Sequence, residues 1–200
     1  MAIDQNPVPA SLLDNTTFIM QQVNSVTRND FEILDGSGNP IGSVQTMGGV
    51  GSRLLLGARS FNLCELDGTI ACHIEDTVNF GRDRYEITDH AGNPLASLIK
   101  KITFLRTKVE ITLANGQAME LVGNPMGMEY QFVLNGQVVG AVARQWAGLA
   151  KGLLGHSRYA LTMHPEAPTA HKLAMLGSAV ALDCIRNKND GSTGALNNWN

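Results

Sequence analysis

The chain has 200 residues, of which 44% are hydrophobic and 16% charged, with a net charge of −3 at pH 7. This is the composition of an ordinary globular chain, long enough to bury a sizeable core in one large domain. The acidic balance argues against a dedicated nucleic-acid binder, which needs a basic surface. The charge is unevenly spread, because residues 1–80 carry three basic and nine acidic groups and residues 81–200 carry twelve and nine.

Residues 1–14 are polar, contain Pro7 and Pro9, and read as a loose lead-in. They have neither the basic start nor the apolar run of a secretion signal, so a cytoplasmic protein is expected. Strand-like segments follow at 17–23, 31–35, 41–46, 61–66, 70–76 and 84–89. Further segments follow at 95–105, 108–113, 117–122, 129–134, 137–144 and 158–163. Asn115-Gly116 and Asn135-Gly136 lie between alternating runs, the signal of two-residue hairpins whose turn positions need positive φ. Many short strands with regular turns mean a sandwich or a barrel.

An internal repeat supports the second. Phe31-Glu-Ile-Leu-Asp-Gly-Ser-Gly-Asn-Pro-Ile-Gly-Ser43 matches Tyr85-Glu-Ile-Thr-Asp-His-Ala-Gly-Asn-Pro-Leu-Ala-Ser97 at seven of thirteen positions, without a gap. Asp and Asn bond local backbone, Gly takes the special dihedral, and Pro starts the return strand. Hairpins repeated in this way suggest a closed meander built from two similar halves.

Residues 173–185 then read as a helix that is apolar all round, which belongs in a core or a membrane. Only ten uncharged residues separate Lys172 from Asp183, too few to span a bilayer and right for a buried helix. Ala174, Gly177, Ser178 and Ala181 form a small-residue face that a wall of backbone can approach. Thr169 is the expected N-cap, and residues 187–191 supply the stop. A barrel of more than ~8 strands needs something to fill it. The expected fold is therefore a large closed antiparallel β-barrel of about twelve strands with the hydrophobic C-terminal α-helix through its centre. The barrel domain would occupy residues 15–188, with flexible ends at 1–14 and 189–200.

Three motifs resemble the phospholipid scramblase family. Gly140-Ala-Val-Ala-Arg-Gln-Trp-Ala-Gly148 is similar to that family's basic-Trp-Gly segment, marked here by Trp146 and Gly148. Tyr159-Ala-Leu-Thr-Met163 followed by residues 172–183 resembles its last strand and closing helix, with Leu176, Leu182 and Asp183 as the motif positions. The resemblance covers about residues 17–187 and groups the chain with Tubby-like and LURP-one-related proteins. It implies a twelve-strand barrel around a C-terminal helix, and contact with membrane phospholipid. Some family members are also credited with calcium-triggered lipid movement. The family's acidic calcium loop falls here on Gly155 and Ser157, and only Glu166 stands near its final acid. Calcium takes six to eight oxygen ligands, so calcium dependence is not expected. The Cys-rich lipidation segment is also missing.

Lys100, Lys101, Arg106 and Lys108 are the densest basic group. Their plain reading is a solvated face or edge-strand protection; their functional reading is an anionic-headgroup or phosphate site. His73, Glu75 and Asp76 have no third metal ligand within reach by spacing and read as structural. Gly48-Gly-Val-Gly-Ser52 lacks the end of a phosphate-binding loop. Trp146 reads as a packing anchor, with a membrane-interface role as the alternative. Asp183 is expected at the barrel rim. Cys64, Cys72 and Cys184 have no metal spacing and point to a reducing compartment without disulfides. No catalytic constellation, cofactor motif or nucleic-acid motif is found. The expected function is non-enzymatic, peripheral binding of phospholipid headgroups at the inner face of a membrane. A soluble scaffold or protein-binding barrel on the same fold is the alternative.

Overall fold

A computed structural model describes residues 11–22, 31–47, 60–77, 84–102, 107–124, 129–143 and 158–196; the side chains at 22, 100–102, 107–108, 124, 158 and 183–196 lie outside this description. Twelve strands follow a short 3-10 helix, Leu12–Asp14. The first six are β1 (Thr17–Gln22), β2 (Phe31–Leu34), β3 (Pro40–Met47), β4 (Ser60–Glu65), β5 (Ile70–Thr77) and β6 (Arg84–Asp89). The others are β7 (Pro94–Ile102), β8 (Thr107–Leu113), β9 (Ala118–Asn124), β10 (Glu129–Leu134), β11 (Gln137–Ala143) and β12 (Arg158–Met163). The chain ends in one long helix, α1 (Thr169–Leu196).

Each strand pairs antiparallel with its predecessor, and β1 closes the ring by pairing with β12, Phe18 opposite Leu161. Closure leaves no sheet edge to template aggregation. The strands alternate as the sequence demands. In β6, Tyr85 and Ile87 are buried between half-exposed neighbours; in β8 and β9, Val109, Ile111, Met119 and Leu121 do the same. These inward residues and Leu173–Leu182 of α1 form one continuous core. The helix lies inside the barrel and packs most closely on β5 and β7. Tyr159 anchors it by donating its hydroxyl to the Ala179 carbonyl at 3.4 Å.

The small-residue face of α1 is buried throughout, but what approaches Gly177 is a side chain rather than a wall of backbone. A Cβ there would lie 2.7 Å from Ile87 Cδ1. Ser178 is satisfied within the helix, donating Oγ to the Ala174 carbonyl at 2.6 Å. The helix also runs to Leu196, past the stop expected at residues 187–191. Asn and Gly lower helix propensity without forbidding the conformation, and no proline follows to end it.

Four hairpin turns share one form. In β2–β3, β4–β5, β6–β7 and β8–β9, a type I turn is followed by a glycine with φ between 82° and 90°, namely Gly38, Gly68, Gly92 and Gly116. Asn115-Gly116 is therefore not the two-residue turn expected from sequence. The loop is one residue longer, starts at Ala114, and only its glycine has positive φ. Asn115 instead accepts from the Gln117 amide at 3.0 Å. Asn135-Gly136 does make the two-residue turn, with φ of 51° and 79°.

Residues 11–14 are not part of a loose lead-in. Ser11 and Asp14 form a capping box, and Glu65 accepts from both Ser11 Oγ and the Leu12 amide, at 3.0 and 2.6 Å. Leu12 is fully buried in the barrel mouth. Lys172 at the start of α1 donates to the Leu13 carbonyl at 2.7 Å, tying this segment to the helix.

Candidate functional site

The β7–β8 hairpin joins the two basic runs. The sequence on either side of residues 103–106 alternates toward the core through Leu98, Val109 and Ile111, and this fixes the register. Lys101 is paired with Lys108, Lys100 with Val109, and Ile102 with Thr107. Three of the four basic candidates thus come together at the end of two adjacent strands. The fourth, Arg106, lies outside the described residues, although the chain holds it one residue before β8. Glu110 and Glu120 are themselves register partners between β8 and β9, farther along the barrel wall.

The remaining candidates separate. Leu176 and Leu182 are buried in the core, as expected of the closing helix. Asp183 follows as a backbone position of α1. Trp146, Gly148, Gly155, Ser157 and the glycine run 48–52 lie outside the described residues. Glu166 is exposed in the turn between β12 and α1. His73 and Glu75 share the outer face of β5, while Asp76 faces the interior and is 3% exposed. His73 Nδ1 lies 2.7 Å from Asn62 Oδ1, and Asn62 also contacts Met47 Sδ, so His73 serves a polar clasp on the outer wall. Among the described residues no cluster of His, Cys, Asp and Glu has the geometry to hold a metal ion.

Cys64 and Cys72 are free and buried. Burial pushes the Cys72 thiol up to about 12, and the neighbouring Cys64 adds to the rise; Cys64 is raised by burial as well. Both therefore stay protonated at neutral pH and are poor nucleophiles.

Sequence reasoning missed two features. One is the Leu12 plug, whose signal was the Ser11-x-x-Asp14 spacing of a capping box. The other is a shallow cleft of about 250 Å³ beside the start of α1, lined by Leu134, Val138, His164, Glu166, His171 and Met175. It is assembled from β10, β11 and α1, and no local pattern announces it.

The geometry can be set beside known proteins. The LURP-one-related family model matches residues 15–183, the whole barrel and the buried part of the helix. The chain belongs to the LURP-one-related family. A crystal structure of an Arabidopsis thaliana protein shares the fold with a TM-score of 0.55 at 14% identity, over 88% of this chain and 98% of that one. No curated protein matches the chain. Among the described residues no helix of this LURP-one-related barrel is long and apolar enough to cross a membrane.

Proposed function

We propose that this LURP-one-related barrel binds anionic phospholipid headgroups peripherally, at the inner face of a membrane and without catalysis, through Lys100, Lys101, Arg106 and Lys108. The observation that carries the reading is the pairing of Lys101 with Lys108. Like charges set directly opposite one another destabilise a sheet. An anionic partner at the strand ends turns that cost into attraction. The sequence resemblance to scramblases and Tubby-like proteins supports the same partner class. Each basic residue near an anionic surface is worth roughly 1 kcal/mol, so the cluster gives about 4 kcal/mol, a reversible attachment.

Co-sedimentation with vesicles tests the reading. The protein should bind phosphatidylserine-containing vesicles and ignore pure phosphatidylcholine, with binding weakened by salt. Lys100→Gln with Lys101→Gln should cut binding by roughly tenfold or more while leaving the fold intact. Undiminished binding by the double variant would remove the cluster from the site.

A second reading, a soluble protein-binding barrel, is favoured by the cleft at the start of α1. Val138 at its edge is 52% exposed, an apolar side chain left to water. Failure of the parent protein to bind anionic vesicles at low salt would put this reading first.

A further inference from the structure

Two Asn-Gly-Gln triplets occur in the chain, at 115–117 and 135–137. Both asparagines and both glycines are exposed in hairpin turns. An asparagine followed by glycine can lose ammonia without an enzyme. The glycine nitrogen releases its proton to solvent and attacks the asparagine Cγ. An N–Cγ bond forms, the Cγ–Nδ2 bond breaks, and the leaving nitrogen takes up a proton and departs as ammonia. Water then opens the cyclic imide at either carbonyl. One opening gives aspartate; the other gives isoaspartate, whose backbone runs through Cβ. Glycine favours the step because it has no side chain to obstruct the ring. The triplets are identical, so their local chemistry is the same and a difference in rate must come from the fold.

The fold treats them differently. At Asn115 every reacting group is held. Its Oδ1 accepts from the Gln117 amide at 3.0 Å, and its Nδ2 donates to Gln117 Oε1 at 2.8 Å. The Gly116 amide donates to the Leu113 carbonyl at 2.8 Å. Ring closure has to break these bonds, because Cγ must swing toward a nitrogen that is itself engaged. The turn at Asn135 has one residue fewer, and no described residue hydrogen-bonds the Asn135 side chain or accepts from the Gly136 amide. Among the described residues Asn135 is also the one non-glycine position with positive φ, a conformation held at some cost. Asn39 and Asn93 sit in similar turns but are closed to this chemistry, because Pro40 and Pro94 follow them and carry no N–H.

We infer that Asn135 is a site of spontaneous deamidation in the folded protein, and that Asn115 is protected by its hydrogen bonds. The site borders the cleft beside α1, since Leu134, Gln137 and Val138 line it. Conversion adds a carboxylate at that edge. The isoaspartyl form also lengthens, by one backbone atom, a turn built for two residues. Fresh and aged chains therefore present different cleft edges. This consequence bears on the protein-binding reading; the modification itself depends on neither reading.

The test incubates the full chain in mildly alkaline buffer, native and in denaturant, and follows its peptides by mass over time. Each deamidation raises a peptide by one mass unit, and chromatography separates isoaspartate from aspartate. In denaturant the two triplets should convert at similar rates. In the native protein Asn135 should convert at least about tenfold faster than Asn115, whose hydrogen bonds must first open. Asn135→Gln should remove the early native product, because the longer side chain closes a ring slowly. A thermal midpoint matching the parent shows that this variant folds; if it does not, the parent's peptides decide the case. Equal native rates at the two sites, or faster conversion at Asn115, would overturn the proposal. So would an Asn135 that stays intact while the denatured chain converts, or a rate ratio that denaturant leaves unchanged.

Discussion

The two repeated hairpins, β2–β3 and β6–β7, are alike at their turns and unlike where they face the interior. At the turns, Asp35 accepts from the Ser37 and Asn39 amides and from the Asn39 side chain, and Asp89 does the same with Ala91 and Asn93. Gly38 and Gly92 close both with φ of 90° and 85°. Even the register shift recurs, after Ile33 and after Ile87. Inside, the second hairpin has Ala96 where the first has Gly42. A Cβ at Gly42 would lie 2.5 Å from the Cys64 carbonyl oxygen and 2.9 Å from Leu12 Cδ1. Ile87 of the second hairpin meets Gly177 of the helix instead. The turn is a local object, set by five residues, and survives repetition. The interior positions answer to whatever fills the barrel nearby, which is the N-terminal plug for one hairpin and the helix for the other.

The comparison can be broken most severely from the helix side. Leu176→Asp places an unpaired charge among fully buried neighbours, a cost of several kcal/mol against a total stability of ~5–15 kcal/mol. The expected result is loss of the cooperative thermal transition by circular dichroism. Retention of a sharp transition would contradict a helix enclosed by strands. From the plug side, Leu12→Ala should cost about 2–5 kcal/mol, read as a lower denaturant midpoint. A change under about 0.5 kcal/mol would mean that Leu12 does not fill the mouth of the barrel.

The exchange of the paired positions sharpens the contrast. Gly42→Ala should destabilise by about 1–3 kcal/mol, because the obstructing atom is backbone and cannot rotate away. Ala96→Gly should cost only about 0.5–1 kcal/mol, from lost strand order and a small void. Equal effects of the two substitutions would show that the halves are equivalent inside as well as outside.

The smallest effect concerns the turns themselves. A side-chain hydrogen bond from Asn39, assisted by nearby amides, holds the Asp35 carboxyl below its ordinary range, and Asn93 does the same for Asp89. A carboxyl depressed in the folded state stabilises above its unfolded value of about 3.9, and that stability is lost as pH falls through the folded value. Asp35→Asn and Asp89→Asn should therefore each flatten the decline of the thermal midpoint below about pH 4. Because the turns are the same, the two variants should behave alike; different acid profiles would reveal a hidden difference between them.

Much of this barrel is readable from the chain. All twelve strands were expected within a few residues, because alternation and Asp-x-x-Gly-Asn turns act over short distances. Burial of the helix was legible from its apolar residues all round. The chain is less informative where distant segments decide. Leu12 is one leucine in a polar stretch until Glu65 and Lys172 are brought to it. The loop at Asn115 depended on a single residue of register, which strand pairing settles. The basic cluster was legible only as two runs that would meet if their strands paired. The pairing of Lys101 with Lys108 shows that the two runs do meet.

The pairing of β1 with β12 also governs the order in which the molecule can be made. The first strand leaves the ribosome early, yet its second neighbour is the last strand synthesised, and the helix that completes the core comes later still. Contacts between such distant segments form slowly. The nascent sheet must therefore hold Phe18, Phe31 and Phe61 without their final cover until β12 and the buried part of α1 have been made. A partly made barrel of this kind exposes apolar surface and unpaired strands, the condition that chaperones exist to manage. Truncation near Leu173 should for this reason trap the chain as an open, chaperone-bound sheet.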